Sequence, residues 1–341
     1  MATMADVARR AGVSLSTVSY ALSGSRPVSD ATRARILEAM EELDYAPNLV
    51  ARSLKGRRTR IVALLLPTDD SDADPFMADV ITAAAEAARQ SGYHLLLWTE
   101  PFESSTDLQT FVRQGLVDGA LLLSVQLEDE RVAVLERDEI PLVLIGRTAD
   151  PESFTFVDTD TEQLTDTAIG HVTELGHRAV AFVGPPPSEL ERRYGFVERI
   201  RAELAEAAAR QGVELVTCHP ERSPSAGREA IGSLLFDRPD LTAAIVMNDP
   251  ALAGVIQGAQ AEGRRVPEDF SVLGLLASSL VADATTPATT AVVGAPTTIG
   301  RLAAQAIVEM LDGGGPSPRR QELVGCELVI RGSMASILRT A

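Results

Sequence analysis

The residue types that most often carry catalysis are present, but they lack the spacing that catalysis needs. The four histidines show no metal-ligand spacing, and Cys218 and Cys326 lie far apart in no CxxC pair. No GxxxxGK(S/T), GxGxxG or GxSxG motif occurs, and no acid and base pair can be named. We therefore predict that the protein is not an enzyme and holds no metal or cofactor.

A second set of residues follows short apolar runs, where it could contact a small ligand. The carboxyl ends of parallel strands line a cleft, and these residues stand at such ends. The alternative is that the Asp-Pro pairs at 74–75 and 249–250 only begin helices. The set comprises Asp74, Phe76, Trp98, Ser124, Gly146, Arg147, Arg192, Asn248, Asp249 and Leu276.

The first 46 residues, here called the head, offer a surface that suits DNA. Thr3 and Asp6 fit a capping box, Gly12 allows a tight turn, and Ser14 and Ser29 can cap a second and a third helix. The second helix, through Leu22, has an apolar stripe of Val18, Ala21 and Leu22 and another face of Leu15, Ser16, Ser19 and Tyr20. The apolar positions of the third are Ile36, Leu37, Met40 and Leu43. This layout predicts a helix-turn-helix unit; the alternative is a helical hairpin used only for packing.

A short helix is predicted over residues 48–56, after Pro47 and before a run of arginines. Two helical turns are marginal alone, so we expect this helix to form only against a twin or against DNA. It would then act as a hinge and a switch; the alternative is a basic interdomain linker.

Charge is divided unevenly along the chain. Residues 1–60 hold ten basic and six acidic side chains, a net charge of +4. Because the net charge of the whole chain is −17, the residues after 60 carry a net charge of −21. An acidic body repels phosphate, which confines any DNA contact to the N-terminal part. The charged start does not fit a signal peptide, and no apolar run reaches the ~18 residues of a membrane helix. We expect a cytoplasmic protein.

The residues from 61 onward read as α/β, because near-continuously apolar runs alternate with helical patterns. About 280 residues favour two similar doubly wound halves with a ligand cleft between them. The predicted strands are Ile61–Leu66, His94–Trp98, Gly119–Leu123, Leu142–Ile145, Ala179–Val183, Glu214–Thr217, Ala244–Met247 and Val272–Leu275. The predicted helices include Asp79–Gln90, Leu164–Leu175, Glu191–Gln211 and Leu252–Glu262.

The chain resembles the LacI/GalR family of transcriptional repressors over its whole length. The resemblance is carried by residues 4–56, Val-Asp-Gly-Ala-Leu-Leu-Leu at 117–123, Glu-Leu-Gly-His-Arg at 174–178, Met-Asn-Asp at 247–249 and Glu-Leu-Val-Ile-Arg-Gly-Ser at 327–333. It implies a helix-turn-helix headpiece at 1–46, a hinge at 47–60 and a two-lobed periplasmic-binding-protein-like core of doubly wound parallel sheets. The lobes would be 61–160 with 292–323, and 161–291 with 324–341. It further implies a homodimer, a pseudo-palindromic operator and a small effector.

The resemblance also assigns residues to roles. Leu15, Ser16 and Tyr20 match base-reading positions, Thr17 and Ser19 phosphate-facing positions, and Arg26 and Lys55 additional DNA contacts. Leu54 matches a leucine that wedges into the minor groove, where an apolar side chain kinks the duplex. Phe76, Ser124, Arg147, Arg192, Asn248 and Leu276 match effector-binding positions.

Three departures from the family pattern limit what the resemblance implies. Tyr20 stands where many relatives have arginine, and tyrosine cannot make the bidentate contact to guanine, so the operator sequence cannot be transferred. Gly146 and Leu276 replace carboxylates that hold sugar hydroxyls. We expect a less polar pocket than a sugar binder has, with Arg192 facing an anionic group; loss of effector response is the alternative.

The sequence as a whole favours a dimeric repressor under effector control. No leucine-heptad tail follows the last strand motif, so we expect a dimer rather than a tetramer. A solute-binding protein and an α/β enzyme with a DNA-binding head are the rival hypotheses. The absent export signal and the basic N-terminal part count against the first, and nothing in the sequence favours the second.

Overall fold

The computed structural model describes residues 2–23, 26–45, 58–66, 75–99, 105–313 and 319–337. The chain forms two compact units, Met1–Thr59 and Arg60–Ala341. The predicted hinge helix, with Leu54 and Lys55, lies outside the described residues.

The first unit contains the predicted helix-turn-helix. Helices α1 (Met4–Ala11), α2 (Leu15–Ser23) and α3 (Asp30–Glu42) pack around Val7, Val18 and Ile36. The capping box of Thr3 and Asp6 and the Ser29 cap are confirmed, and Gly12 has a φ of 67°, which a glycine adopts without strain. Leu37 was predicted to lie on the apolar face of α3, but its side chain is 54% exposed. Ala39 packs into the core of this unit instead.

The second unit begins with a six-stranded parallel sheet, the centre of the first lobe. Its strands are β1 (Ile61–Leu65), β2 (His94–Trp98), β3 (Gly119–Leu122), β4 (Leu142–Ile145), β5 (Phe156–Thr159) and β11 (Gln321–Val324). Their order is β11-β5-β4-β3-β1-β2. The helices are α4 (Pro75–Gln90), α5 (Ser105–Arg113), α6 (Glu130–Arg137) and α13 (Pro296–Asp312). Alternate residues of β1 pack against α4 and α13 on one face and α5 and α6 on the other, so this sheet is covered on both sides.

The second lobe repeats this plan around its own sheet, β12-β10-β9-β8-β6-β7, in which only the pairing of β12 with β10 is antiparallel. Its strands are β6 (Ala179–Val183), β7 (Glu214–Cys218), β8 (Ala243–Val246), β9 (Ser271–Leu275), β10 (Thr290–Val293) and β12 (Glu327–Val329). Its helices are α7 (Thr161–Glu174), α8 (Pro187–Glu191), α9 (Gly195–Gln211), α10 (Pro224–Asp237), α11 (Asp249–Ala261) and α12 (Ser279–Ala284).

The chain passes between the lobes after β5, β10 and β11. The last two passages differ from the sequence expectation of 292 and 324, because Val293 still belongs to the second sheet and Val324 to the first. The single helix predicted over Glu191–Gln211 is wrong: α8 and α9 are separate, and Arg193 between them has a φ of 52°, outside the helical region. No helix among the described residues is long and apolar enough to cross a membrane.

Candidate functional site

The predicted DNA-reading helix presents a face of hydroxyl, phenol and apolar groups. Leu15 is 49% exposed, and Ser16 is exposed beside it, whereas Thr17, Ser19 and Tyr20 are half-buried. Ser14 accepts a hydrogen bond from the Thr17 backbone N–H at 3.1 Å, which caps the start of α2. A helix with an exposed N-terminal turn of this kind can enter a major groove.

Arg26 supplies a positive charge next to this face. Its guanidinium carbon lies 5.1 Å from the centre of the Tyr20 ring, a cation–π distance. The structure therefore places the charge of Arg26 against the ring of Tyr20. Leu54 and Lys55 stay predictions, because residues 46–57 are not described.

A second site lies between the two lobes of the second unit. A cavity of about 1020 Å³, including open solvent, is bounded by the carboxyl ends of strands from both sheets. The structure describes twenty of its lining residues, of which twelve are apolar and one is glycine. The polar ones are Ser124, Asp158, Thr159, Thr161, Glu189, Arg222 and Asp249.

Three of the six predicted effector-binding residues line this cavity, namely Phe76, Ser124 and Leu276. The other three are engaged elsewhere. The Arg147 side chain pairs with Asp158 at 2.8 Å, and the Arg192 guanidinium donates to the Tyr194 hydroxyl at 3.0 Å. Asn248 caps α11 by accepting from the Ala251 N–H, and its amide donates to the Pro220 carbonyl.

The Arg147–Asp158 pair forms part of a buried network that joins the lobes. Burial raises the pKa of the Asp158 carboxyl, and the Arg147 charge opposes that shift. Arg199, on α9 of the second lobe, donates to the backbone carbonyls of Arg147 and Thr148 at 3.0 and 2.5 Å. Burial lowers the pKa of Arg199, and the nearby Arg147 charge lowers it further. These contacts fix one lobe against the other beside the cavity.

Sequence reasoning missed a second ion pair on the cavity wall. Arg222 Nη1 lies 2.7 Å from Glu189 Oε1, and both side chains are largely buried. Arg222 stands in a loop after β7, where no pattern marked it. Asp158 was missed because β5 was not predicted. Asp249 was noted only as a strand-end residue, and it lines the cavity while accepting a hydrogen bond from the Ser278 N–H.

Metal-binding side chains and thiols are present in the described part of the chain. The residues that the structure covers contain no cluster of His, Cys, Asp and Glu that could hold a metal ion. Burial raises the pKa of the Cys218 and Cys326 thiols to about 11 and about 12, so neither is a thiolate at neutral pH.

Two family profiles match the chain. Residues 3–48 match the profile described as bacterial regulatory proteins, lacI family, and residues 169–334 match a periplasmic binding protein-like domain. The regulator CelR of Thermobifida fusca is 32% identical over 93% of this chain and 94% of its own. A PurR repressor of Erwinia tasmaniensis is 32% identical over 80% of each chain. Both are transcriptional regulators rather than enzymes.

Solved structures agree with this assignment. A complex of CelR with cellobiose is 30% identical, with a TM-score of 0.71 over 98% of this chain and all of that one. The Lac repressor dimer bound to operator and the anti-inducer ONPF has a TM-score of 0.83 over 98% and 99% of the two chains; at 22% identity it supports the fold alone. The chain therefore belongs to the lacI family of bacterial regulatory proteins and is a DNA-binding transcriptional regulator controlled by a small-molecule effector.

Proposed function

We propose that the protein is a cytoplasmic homodimeric repressor of a pseudo-palindromic operator. Each head places α2 in the major groove of one half-site, and paired hinge segments insert Leu54 into the minor groove at the operator centre. The effector occupies the cavity between the lobes and alters operator affinity by changing their closure. The headpiece and hinge boundaries expected from the sequence belong to this proposal.

The exposed face of α2 is the observation that carries the proposal. Leu15 and Tyr20 contribute little to the core of their own unit, which is built from Val7, Val18 and Ile36. An apolar side chain at the start of a reading helix can contact a thymine methyl group, and a phenol can donate to a base edge. Arg26 lies beside the ring of Tyr20, where it can approach a phosphate.

The proposed dimer rests on the edge strand β2. Its sequence is His-Leu-Leu-Leu-Trp, it pairs with β1 in the described sheet, and Leu96 and Leu97 are 36% and 44% exposed. Open edges are normally protected by charge, proline or a covering element, and β2 contains no proline, Asp, Glu, Lys or Arg. A second copy of the chain would cover it.

Selection from randomised duplexes with the full-length protein tests the proposal. The expected result is enrichment of a two-fold symmetric sequence. Binding to the selected duplex should fall steeply with salt, by about 0.9 in log K per log unit of salt for each neutralised phosphate. Leu15→Ala and Tyr20→Ala should each weaken it by about 1–3 kcal/mol through lost base contacts.

Leu37→Ala is the matched control for Leu15→Ala. Leu37 is 54% exposed, close to the 49% of Leu15, but it lies on α3. It should leave operator affinity unchanged. Folded protein that enriches no symmetric sequence, or binding that ignores salt, would rule the proposal out.

A further inference from the structure

Among the described residues, those that line the interlobe cavity are mostly apolar. Phe76 and Met77 approach it from the first lobe, and Phe196, Met247 and Leu276 from the second. Two phenyl rings and two thioethers are groups that pack against flat apolar surfaces. A ligand that fills this space exchanges water for apolar contact over most of its area.

Several polar groups of the wall already have partners within the protein. One oxygen of Asp158 accepts from Arg147 and the other from the Thr159 N–H, both at 2.8 Å. Glu189 is paired with Arg222, and Asp249 accepts from the backbone of Ser278. An anionic ligand would have to compete with Glu189 for the only cation that lines the cavity among the described residues.

Two cavity-lining positions at strand ends carry no polar side chain. Gly146 follows β4 with a φ of 116°, and a Cβ there would lie 3.3 Å from Val125, so this position is strained for any side chain. Leu276 follows β9 with a φ of 56°, a conformation unusual for leucine.

Leu276 and Phe76 also pack on the same spot. A Cβ built on Gly294, in the passage between the lobes, would lie 3.2 Å from Leu276 and 2.9 Å from Phe76. One apolar side chain from each lobe therefore lies next to Gly294, at the point where the lobes are joined.

We infer that the effector is an uncharged, largely apolar ring compound with few hydrogen-bonding groups, rather than a sugar or an anion. This inference rests on the proposed function, because it concerns the same cavity. The rings of Phe76 and Phe196 pack against the effector, and the hydroxyls of Ser124 and Thr159 bind its few polar groups. A disaccharide would bury many hydroxyls against hydrocarbon, which is unfavourable without partners.

Calorimetric titration of the full-length protein with three probes tests the inference. The probes are 2-naphthylmethanol as the neutral ring compound, 2-naphthoate as its anionic counterpart, and cellobiose as the sugar found with the CelR relative. The neutral probe should bind at least about tenfold more tightly than either of the others, because it leaves no charge or hydroxyl unpartnered.

Leu276→Asp and Leu276→Met locate the bound probe. Aspartate tolerates the left-handed backbone at 276, so the variant should fold, and its carboxylate should weaken 2-naphthylmethanol at least about tenfold. The methionine variant keeps the apolar wall and should bind as the unchanged protein does. Circular dichroism of both variants verifies folding.

Equal or tighter binding of cellobiose or 2-naphthoate, no binding of 2-naphthylmethanol, or binding that Leu276→Asp leaves intact would overturn the inference. Operator selection is measured on the same protein without any probe. A protein that enriches a symmetric duplex but prefers cellobiose disproves only the ligand class, whereas failure to enrich any duplex disproves the proposed function.

Discussion

His177 shows how one buried residue links the stability of the second lobe to pH. The ring is fully buried, and its Nδ1 lies 3.0 Å from the Thr242 hydroxyl. Burial lowers the pKa of His177 to about 4, and the charge of nearby His171 adds to the shift. The folded protein therefore keeps the ring neutral at a pH where the unfolded chain is already protonated. The contribution of the neutral His177 ring to the free energy of unfolding is complete at neutral pH. It is lost as the pH falls from about 6.5 towards 4.

Acidification from pH 7.5 to 5.5 should accordingly lower the free energy of unfolding by about 1 kcal/mol through His177. Urea unfolding followed by circular dichroism measures this difference. His177→Asn, which can still hydrogen-bond Thr242, should remove most of it. His219→Asn changes a histidine away from this site, whose Nδ1 lies 2.9 Å from the Pro185 carbonyl oxygen, and should keep it. Equal pH dependence in the two variants would contradict the assignment.

Residue type and position predicted part of the cavity. Phe76, Ser124 and Leu276 were identifiable because each follows or closely neighbours the end of a predicted strand or the start of a helix. Arg147 and Asn248 occupy such positions as well, but their side chains turn to Asp158 and to the start of α11. Side-chain direction depends on the tertiary partner, and sequence position alone does not contain it. Arg222 lines the cavity only because its loop folds beside α8.

The helix pair α10 and α11 packs at a distance that only glycine permits. A Cβ on Gly254 would lie 1.8 Å from the carbonyl oxygen of Pro224, and one on Gly227 would lie 2.4 Å from that of Ala251. Both obstacles are backbone atoms, so the helices would have to move apart. Gly232, also on α10, would meet only the flexible Glu262 side chain, at 3.6 Å.

Gly254→Ala should therefore destabilise the second unit by about 1–3 kcal/mol through overpacking. Gly232→Ala should stabilise it by up to about 1 kcal/mol, because alanine favours a helix more than glycine does. Thermal or urea unfolding of both variants tests the pair. Two substitutions with the same sign would show that close packing does not decide the outcome.

At the level of elements, eight of the twelve strands in the described residues were predicted and four were missed. Strands such as Ile61–Leu65 are covered on both faces, so nearly all their residues are apolar and the sequence alone predicts them. β11 and β12 are partly exposed edge strands with acidic residues, and β5 contains Asp158, so none of the three shows such a run. Their strand structure comes from the neighbouring strand rather than from local pattern.

Positive and negative net charge are found in different parts of the chain. The N-terminal sixty residues carry +4 and the remainder −21, so attraction to DNA is confined to one end while the body repels it. A single head makes few base contacts, and specificity of a symmetric site requires two heads held at a fixed spacing. Under the proposed function, dimerisation through the body is thus a condition for recognition of the operator by the heads.

Leu97→Glu tests that dependence. In a two-fold interface the substitution occurs twice, and each copy replaces a leucine that is 44% exposed in one chain with a charge at the β2 edge. We expect dimer dissociation to rise by about hundredfold or more, from the ~1.5–3 kcal/mol that burial of each leucine contributes. Sedimentation measures the dimer, and titration of the selected duplex at a concentration below the new dissociation constant should show a matching loss of operator affinity.

Leu323→Glu provides the control, because Leu323 is 48% exposed on β11, the opposite edge of the same sheet. Both variants add one negative charge to an exposed edge of the first lobe, so they repel DNA to a similar degree. If β2 is the interface, only Leu97→Glu dissociates the dimer and weakens operator binding. Dissociation by Leu323→Glu alone would move the interface to β11, and a stable dimer in both variants would place it outside this sheet.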